Sequence, residues 1–215
     1  MSESLTAELK SFKDNSGGYN RSDEICIEKA TKVYEQGRYP VVGDQAIPFT
    51  LPNVNNENIS LESLLVKGPV ILSFFRGGWC NYCQIELKAL QRSMPEFEKL
   101  NASLVGISPS VISVKDITQG QITVSYAVLS DIGNSVAENY GLRFQMTKEL
   151  VDIFDGFGLD MEEIHAVSGD ESENLPIPAT FVIDQNMNIV FSFVDPDHTK
   201  RADPTEIIAA LMSIT

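Results

Sequence analysis

The sequence predicts an α/β domain with a central mixed sheet flanked by helices, and three observations carry that expectation. "GPVILSFF" is an unbroken apolar run of strand length, and "NYCQIELKALQRSMPEFEKL" follows it with Ile85, Leu87, Leu90, Met94 and Phe97 at helical spacing. "ASLVGIS" then supplies a second buried strand, and a helix-length crossover between two strands implies parallel neighbours joined with a right-handed connection. Farther on, Ala179 to Ile183 and Ile189 to Val194 are two β-rich runs joined by the turn "DQNMN", which makes them an antiparallel pair.

The remaining elements follow in order. Leu5, Leu9 and Phe12 in "MSESLTAELKSFKDN" are spaced for an amphipathic helix, not for a basic-plus-apolar secretion signal. "NSGGYN" is a loop, and Ser22 is placed to cap a second helix from Asp23 to Gln36 that Gly37 ends, with Cys26, Ala30, Val33 and Tyr34 on one face. Residues 1–40 are therefore an N-terminal helical extension, and the core domain runs over 41–215. Short extended pieces and Pro-containing turns lead to "SLESLL", a helical turn. "TVSYAVLSD" adds a strand, and a short helix from Gly133 stops at Gly141. Residues 142–174 read as an insertion before the last two strands, with a helix over Lys148 to Phe154 and a polar loop in "SGDESEN". "DPTEIIAALMSI" closes the chain as an amphipathic helix capped by Asp203, with Pro204 in its first position.

The totals narrow the function. A chain of 215 residues builds a sizeable core without staples, and no apolar run approaches membrane-spanning length. The formal net charge of −14 repels phosphate backbones and anionic lipid heads, which argues against nucleic-acid or membrane-surface work. With no secretion signal the expected address is cytoplasmic, where three cysteines stay reduced unless one pair is redox-active.

Cys80 and Cys83 form that pair, placed where a buried strand gives way to a helix. Free N–H groups and the positive end of the helix dipole stabilise a thiolate there, and the spacing lets one sulfur reach the other. Gly77 and Gly78 form the turn before them, Trp79 adjoins the pair, and Arg76 brings positive charge near the sulfurs. A structural zinc would need two more ligands; Cys26, His165 and His198 are the candidates, and none has a paired spacing. No metal and no cofactor are expected.

"FFRGGWCNYCQIEL", "LSDIGNSVAENYGL" and "LPIPATFVID" together resemble the alkyl hydroperoxide reductase/thiol-specific antioxidant group of the thioredoxin superfamily, in its peroxiredoxin-like branch with a Cys-x-x-Cys. The likeness runs from about Val42 to the C-terminus. It implies a thioredoxin-like fold, a hydroperoxide substrate, and a Cys80/Cys83 dithiol recycled by thioredoxin or a similar donor. Two positions depart from that family. Its peroxidatic cysteine falls on Cys83, so Cys80 stands where a threonine belongs, and its arginine falls on Pro178. Arg76 and Arg143 are the candidates to replace that guanidinium. "IPAT" is similar instead to the segment of thioredoxins whose proline is cis, which predicts a cis Ile177–Pro178 bond. In thioredoxins the first cysteine attacks, so the two halves of the likeness assign opposite roles to Cys80 and Cys83, and the order stays open.

The leading expectation is thus a thiol-dependent antioxidant oxidoreductase of the peroxidase type. The alternatives are a thioredoxin-like protein disulfide reductase and a non-catalytic redox sensor or binding module. The resemblance also implies a homodimer. Cys26, on an apolar helix face, reads as a structural cysteine rather than a second resolving thiol. Asp195, Asp197, His198 and Asp203 in "DPDHTKRADP" read as a turn before the last helix rather than a metal site. Glu86 is placed to tune a proton near Cys83, against the plainer reading of a solvated helix-surface residue.

Overall fold

The computed structural model describes residues 4–110, 124–159 and 173–214. Thr123, His165 and the first five positions of "SGDESEN" lie outside the described residues.

Five strands make the central sheet: β3 (Val70–Phe74), β4 (Ser103–Ser108), β5 (Ala127–Ser130), β8 (Ala179–Ile183) and β9 (Ile189–Val194), in the order β5-β4-β3-β8-β9. β3 pairs parallel with β4 and β4 with β5, whereas β8 pairs antiparallel with both β3 and β9, so the sheet is mixed as expected. β1 (Thr50–Pro52) and β2 (Asn58–Ser60) form one two-stranded antiparallel pair, and β6 (Arg143–Gln145) and β7 (Asn174–Pro176) a second that joins the two ends of the insertion.

Strand β3 lies at the centre with neighbours on both sides, and every residue of it is buried. Side chains alternate across a strand, which divides β3 between two apolar clusters. Val70, Leu72 and Phe74 join the cluster containing helix α2 (Arg21–Tyr34), the short helix α5 (Ser135–Asn139) and α6 (Lys148–Gly156). Ile71 and, just past the strand, Phe75 join the cluster containing α1 (Leu5–Asn15), α4 (Asn81–Lys99) and α7 (Pro204–Met212). The one-turn helix α3 (Leu61–Leu65) precedes β3, with Leu61 and Leu65 buried. Ser73 is the polar member of the second face, pointing at α4.

Two expectations are corrected. The cap of α2 is Asn20, not Ser22: Asn20 Oδ1 accepts the Asp23 N–H at 3.0 Å and Asp23 Oδ2 accepts the Asn20 N–H at 3.0 Å. This reciprocal pair satisfies two orphan donors at once, and it starts the helix two residues early; the helix ends at Tyr34, ahead of Gly37. The Ile177–Pro178 bond is trans, as is every peptide bond among the described residues. The chain passes from β7 to β8 without a turn, and outside a tight turn an X–Pro bond keeps its trans preference. Ile177 N–H donates to the Leu142 carbonyl at 2.7 Å, which ties this crossing to the insertion. No helix among the described residues is long and apolar enough to cross a membrane.

Asn20→Ala deletes the capping box and is expected to lower stability by about 1 kcal/mol, read as a lower urea midpoint at unchanged m-value.

Candidate active site

The end of β3 delivers the chain to the N-terminus of α4 through "FRGGWC". Gly77 has φ +149°, and a Cβ there would stand 2.4 Å from the Trp79 indole nitrogen, so only glycine fits beneath that ring. Cys80 is the N-cap of α4, with φ −84° and ψ 114°; its N–H donates to the Gly77 carbonyl at 3.2 Å. Gln84 Nε2 donates to the Gly78 carbonyl at 2.7 Å and holds the turn against the first turn of the helix. Cys83 lies in that first turn.

Arg76 is buried. Its Nη2 lies 3.0 Å from Cys80 Sγ and its Nη1 3.5 Å from Cys26 Sγ, so one guanidinium spans two sulfurs from different helices. Arg201, also buried, places Nη2 3.4 Å from Cys83 Sγ and Nε 2.6 Å from Glu86 Oε2. Glu86 is 1% exposed, not the solvated surface residue of the plainer reading, and Ser73 donates to its Oε1 at 3.4 Å. Arg201 Nη1 donates to the carbonyls of His198 and Lys200. His198 Nε2 lies 3.0 Å from Asp23 Oδ1.

These surroundings separate the two thiols. Burial disfavours a Cys80 thiolate, but the hydrogen bond from the Cys83 thiol and the Arg76 charge, with Arg201 and His198 behind them, hold Cys80 well below the ordinary thiol range. Burial and the hydrogen bond it gives to Cys80 push Cys83 well above that range. Burial also raises Cys26, although Arg76 opposes it. Burial raises the Glu86 carboxyl against the opposing pull of Arg201. A pocket of about 200 Å³ opens over the site, with Cys80 and Arg76 on its wall among Phe12, Trp79, Tyr82 and Phe154. Both cysteines are buried, at 3% and 0% exposure, but Cys80 borders the pocket and Cys83 is not among its lining residues.

Of the residues singled out from sequence, Cys80, Cys83, Trp79 and Arg76 are together. Arg143 is not with them; it pairs with Glu138 at 2.6 Å. Pro178 is buried immediately before β8. The four residues weighed as a metal site do not converge on one point: Asp195 and Asp197 share Lys200, Asp197 also takes Tyr19 and Thr199, His198 meets Asp23, and Asp203 caps the N-terminus of α7. Sequence reasoning missed Arg201, Asp23 and the position of His198. An Asn-x-x-Asp capping box at residues 20–23 was the one local signal for Asp23; Arg201 and His198 had none.

Residues 42–192 match the AhpC/TSA family. The putative peroxiredoxin bcp of Helicobacter pylori (strain J99) is 34% identical over 115 residues, 52% of this chain and 75% of that protein. The thiol-disulfide oxidoreductase ResA of Halalkalibacterium halodurans is 26% identical over 112 residues, 51% of this chain and 62% of that protein. The crystal structure of peroxidoxin BcpB from Mycobacterium tuberculosis superposes with a TM-score of 0.61 at 23% identity, covering 81% of this chain and 97% of the other, a likeness of fold.

Two expectations follow. Iodoacetamide should alkylate Cys80 well below pH 8, because a depressed thiol stays ionised as pH falls until its own pKa is passed; Arg76→Met should slow alkylation at pH 6 by about tenfold, the equivalent of one pKa unit. Glu86→Ala strands the buried Arg201 charge and should cost about 3–5 kcal/mol in denaturant titrations.

Proposed function

Because the chain belongs to the AhpC/TSA family, we propose that it is a thiol-dependent peroxidase whose attacking sulfur is Cys80 and whose resolving sulfur is Cys83. The observation that carries this order is the placement of Cys80: at the α4 N-cap, on the pocket wall, with Arg76 Nη2 at 3.0 Å. The alternative order, with Cys83 attacking, is disfavoured by its place behind the pocket wall and its raised proton affinity.

The Cys80 thiolate attacks the terminal oxygen of a hydroperoxide. A sulfur–oxygen bond forms as the oxygen–oxygen bond breaks, and the leaving oxygen takes a proton to become an alcohol or water. Cys83 then attacks the Cys80 sulfenic acid, water leaves, and a Cys80–Cys83 disulfide closes. A dithiol donor of the thioredoxin type returns both sulfurs to thiols by exchange. Arg76 stabilises the thiolate and the charge that develops on the peroxide oxygens. The family argues for a homodimer, and a reducing, cytoplasmic setting would return the pair to its thiol form.

A protein disulfide reductase is the second reading, and the likeness to the ResA oxidoreductase favours it. There Cys80 would attack a disulfide sulfur by the same geometry, with a protein thiolate as leaving group.

Stopped-flow fluorescence of Trp79 separates these. Wild type should show a fast phase linear in hydroperoxide concentration; Cys80→Ser should lose it, and Cys83→Ser should keep it while losing turnover with a dithiol donor. Retention in Cys80→Ser and loss in Cys83→Ser would reverse the order. A wild type inert to hydroperoxide but rapidly oxidised by a protein disulfide would select the second reading.

A further inference from the structure

The pocket over Cys80 takes its walls from three separate parts of the chain. Phe12 comes from α1, Trp79 and Tyr82 flank the start of α4, Phe154 comes from α6, and Phe157 and Leu159 follow just after that helix. The family match begins at residue 42, so the α1 side of the pocket lies outside the stretch shared with the family. The thiol steps above assign no work to these apolar side chains.

The rings stand in pairs. Phe12 meets Tyr82 edge-on, with centroids 5.1 Å apart at 89°, and Trp79 meets Phe154 at 5.4 Å and 58°. Polar groups on the wall are spent within the protein: Ser22 Oγ donates to Asn20 Oδ1 at 2.6 Å, and Ser16 Oγ to the Lys13 carbonyl at 3.0 Å. Among the described residues the charged ones on the wall are Arg76 and Asp23. Arg76 turns its terminal nitrogens to two sulfurs, and Asp23 is held by His198 and the Asn20 N–H. A charged substituent entering here would give up its water without gaining a counter-ion. An apolar ring would instead meet other rings at the separations aromatic pairs prefer, about 4.5–7 Å. It would also cover part of Phe157, which is 62% exposed. The space is about 200 Å³. A cavity of about 150 Å³ lined by apolar side chains holds one benzene, so the pocket suits a single ring with a short branch.

We propose that this wall selects the substrate: hydroperoxides whose leaving oxygen carries a compact, one-ring apolar group are reduced in preference to hydrogen peroxide, with Phe12 of α1 as the main specificity-determining contact and Phe157 closing the rim. The proposal rests on the peroxidase reading and leaves its chemistry unchanged. The terminal oxygen passes to the Cys80 sulfur, and the ring leaves on the alcohol. What the wall adds is a hold on the ring that brings the oxygen–oxygen bond to the sulfur. Hydrogen peroxide has no body for the wall to hold.

The test mixes the reduced full chain with hydrogen peroxide or with cumene hydroperoxide before any reductant is present, so docking of a donor plays no part. The second-order constant of the fast Trp79 fluorescence phase is taken for each. Wild type should favour cumene hydroperoxide by about tenfold or more, the scale on which apolar pockets discriminate. Phe12→Ala should lower that preference by about fivefold, in the range of one lost aromatic contact, mainly through the cumene hydroperoxide constant. A preference that does not move, or two constants that fall together, would make Phe12 a structural contact and overturn the proposal. If Phe12→Ala does not fold, Phe157→Ala, at an exposed ring, must lower the preference in the same way, and the same two outcomes overturn it. Wild type that reduces hydrogen peroxide as fast as cumene hydroperoxide overturns the proposal and leaves the peroxidase reading standing. Wild type inert to both fails that reading, and the proposal with it.

Discussion

Arg76 is buried with its terminal nitrogens 3.0 Å from Cys80 and 3.5 Å from Cys26, and a cation so placed is stable only when negative charge or strong acceptors meet it. Thiols are weak acceptors, so the guanidinium favours the state in which one of them has lost its proton. The site is built to make that thiolate Cys80. It lies at the helix N-terminus, receives a hydrogen bond from Cys83, and borders the pocket, whereas Cys26 and Cys83 are raised by burial. The strand β3 fixes Arg76, the Gly77 turn reverses the chain under Trp79, and α4 fixes both cysteines, so one strand-to-helix junction sets all three groups.

The second cation obeys the same constraint by a different route. Arg201 is neutralised by Glu86 at 2.6 Å, with Ser73 filling the other carboxylate oxygen and two backbone carbonyls taking Nη1. With its charge largely answered by a carboxylate, Arg201 contributes less to a thiolate than Arg76, and Cys83 beside it stays protonated. Two arginines within reach of two sulfurs therefore act unequally, and the difference lies in what else each guanidinium touches.

The elements of the sheet were legible because their signals are local. β3, α4, β4 and the β8–β9 hairpin each show a periodicity within a few residues, and β8 and β9 have the bounds that their apolar runs mark out. Cys80 and Cys83 were legible for the same reason. What escaped was the long-range pairing: Glu86 with Arg201 and Asp23 with His198 are 115 and 175 residues apart in the chain. A glutamate on a helix and a histidine in an acidic turn look solvated until the fold buries both. The trans Ile177–Pro178 bond marks another limit. A four-residue likeness to thioredoxins carried no information about the chain path between β7 and β8, which decides the isomer.

The Asp23–His198 contact also has a consequence for how the site comes into being. Its two halves come from the second helix and from the segment before α7, so the carboxylate waits for its imidazole until 175 further residues have been made. Arg201 reaches Cys83 and Glu86 on the same schedule. Synthesis proceeds at about 5–20 residues per second; Arg76 and Cys83 are made alongside Cys80, but until the fold closes they are not held against its sulfur, which behaves as an ordinary, mostly protonated thiol. Reactivity arrives together with closure of the fold, so the nascent chain is shielded from the oxidants that the finished protein is built to meet.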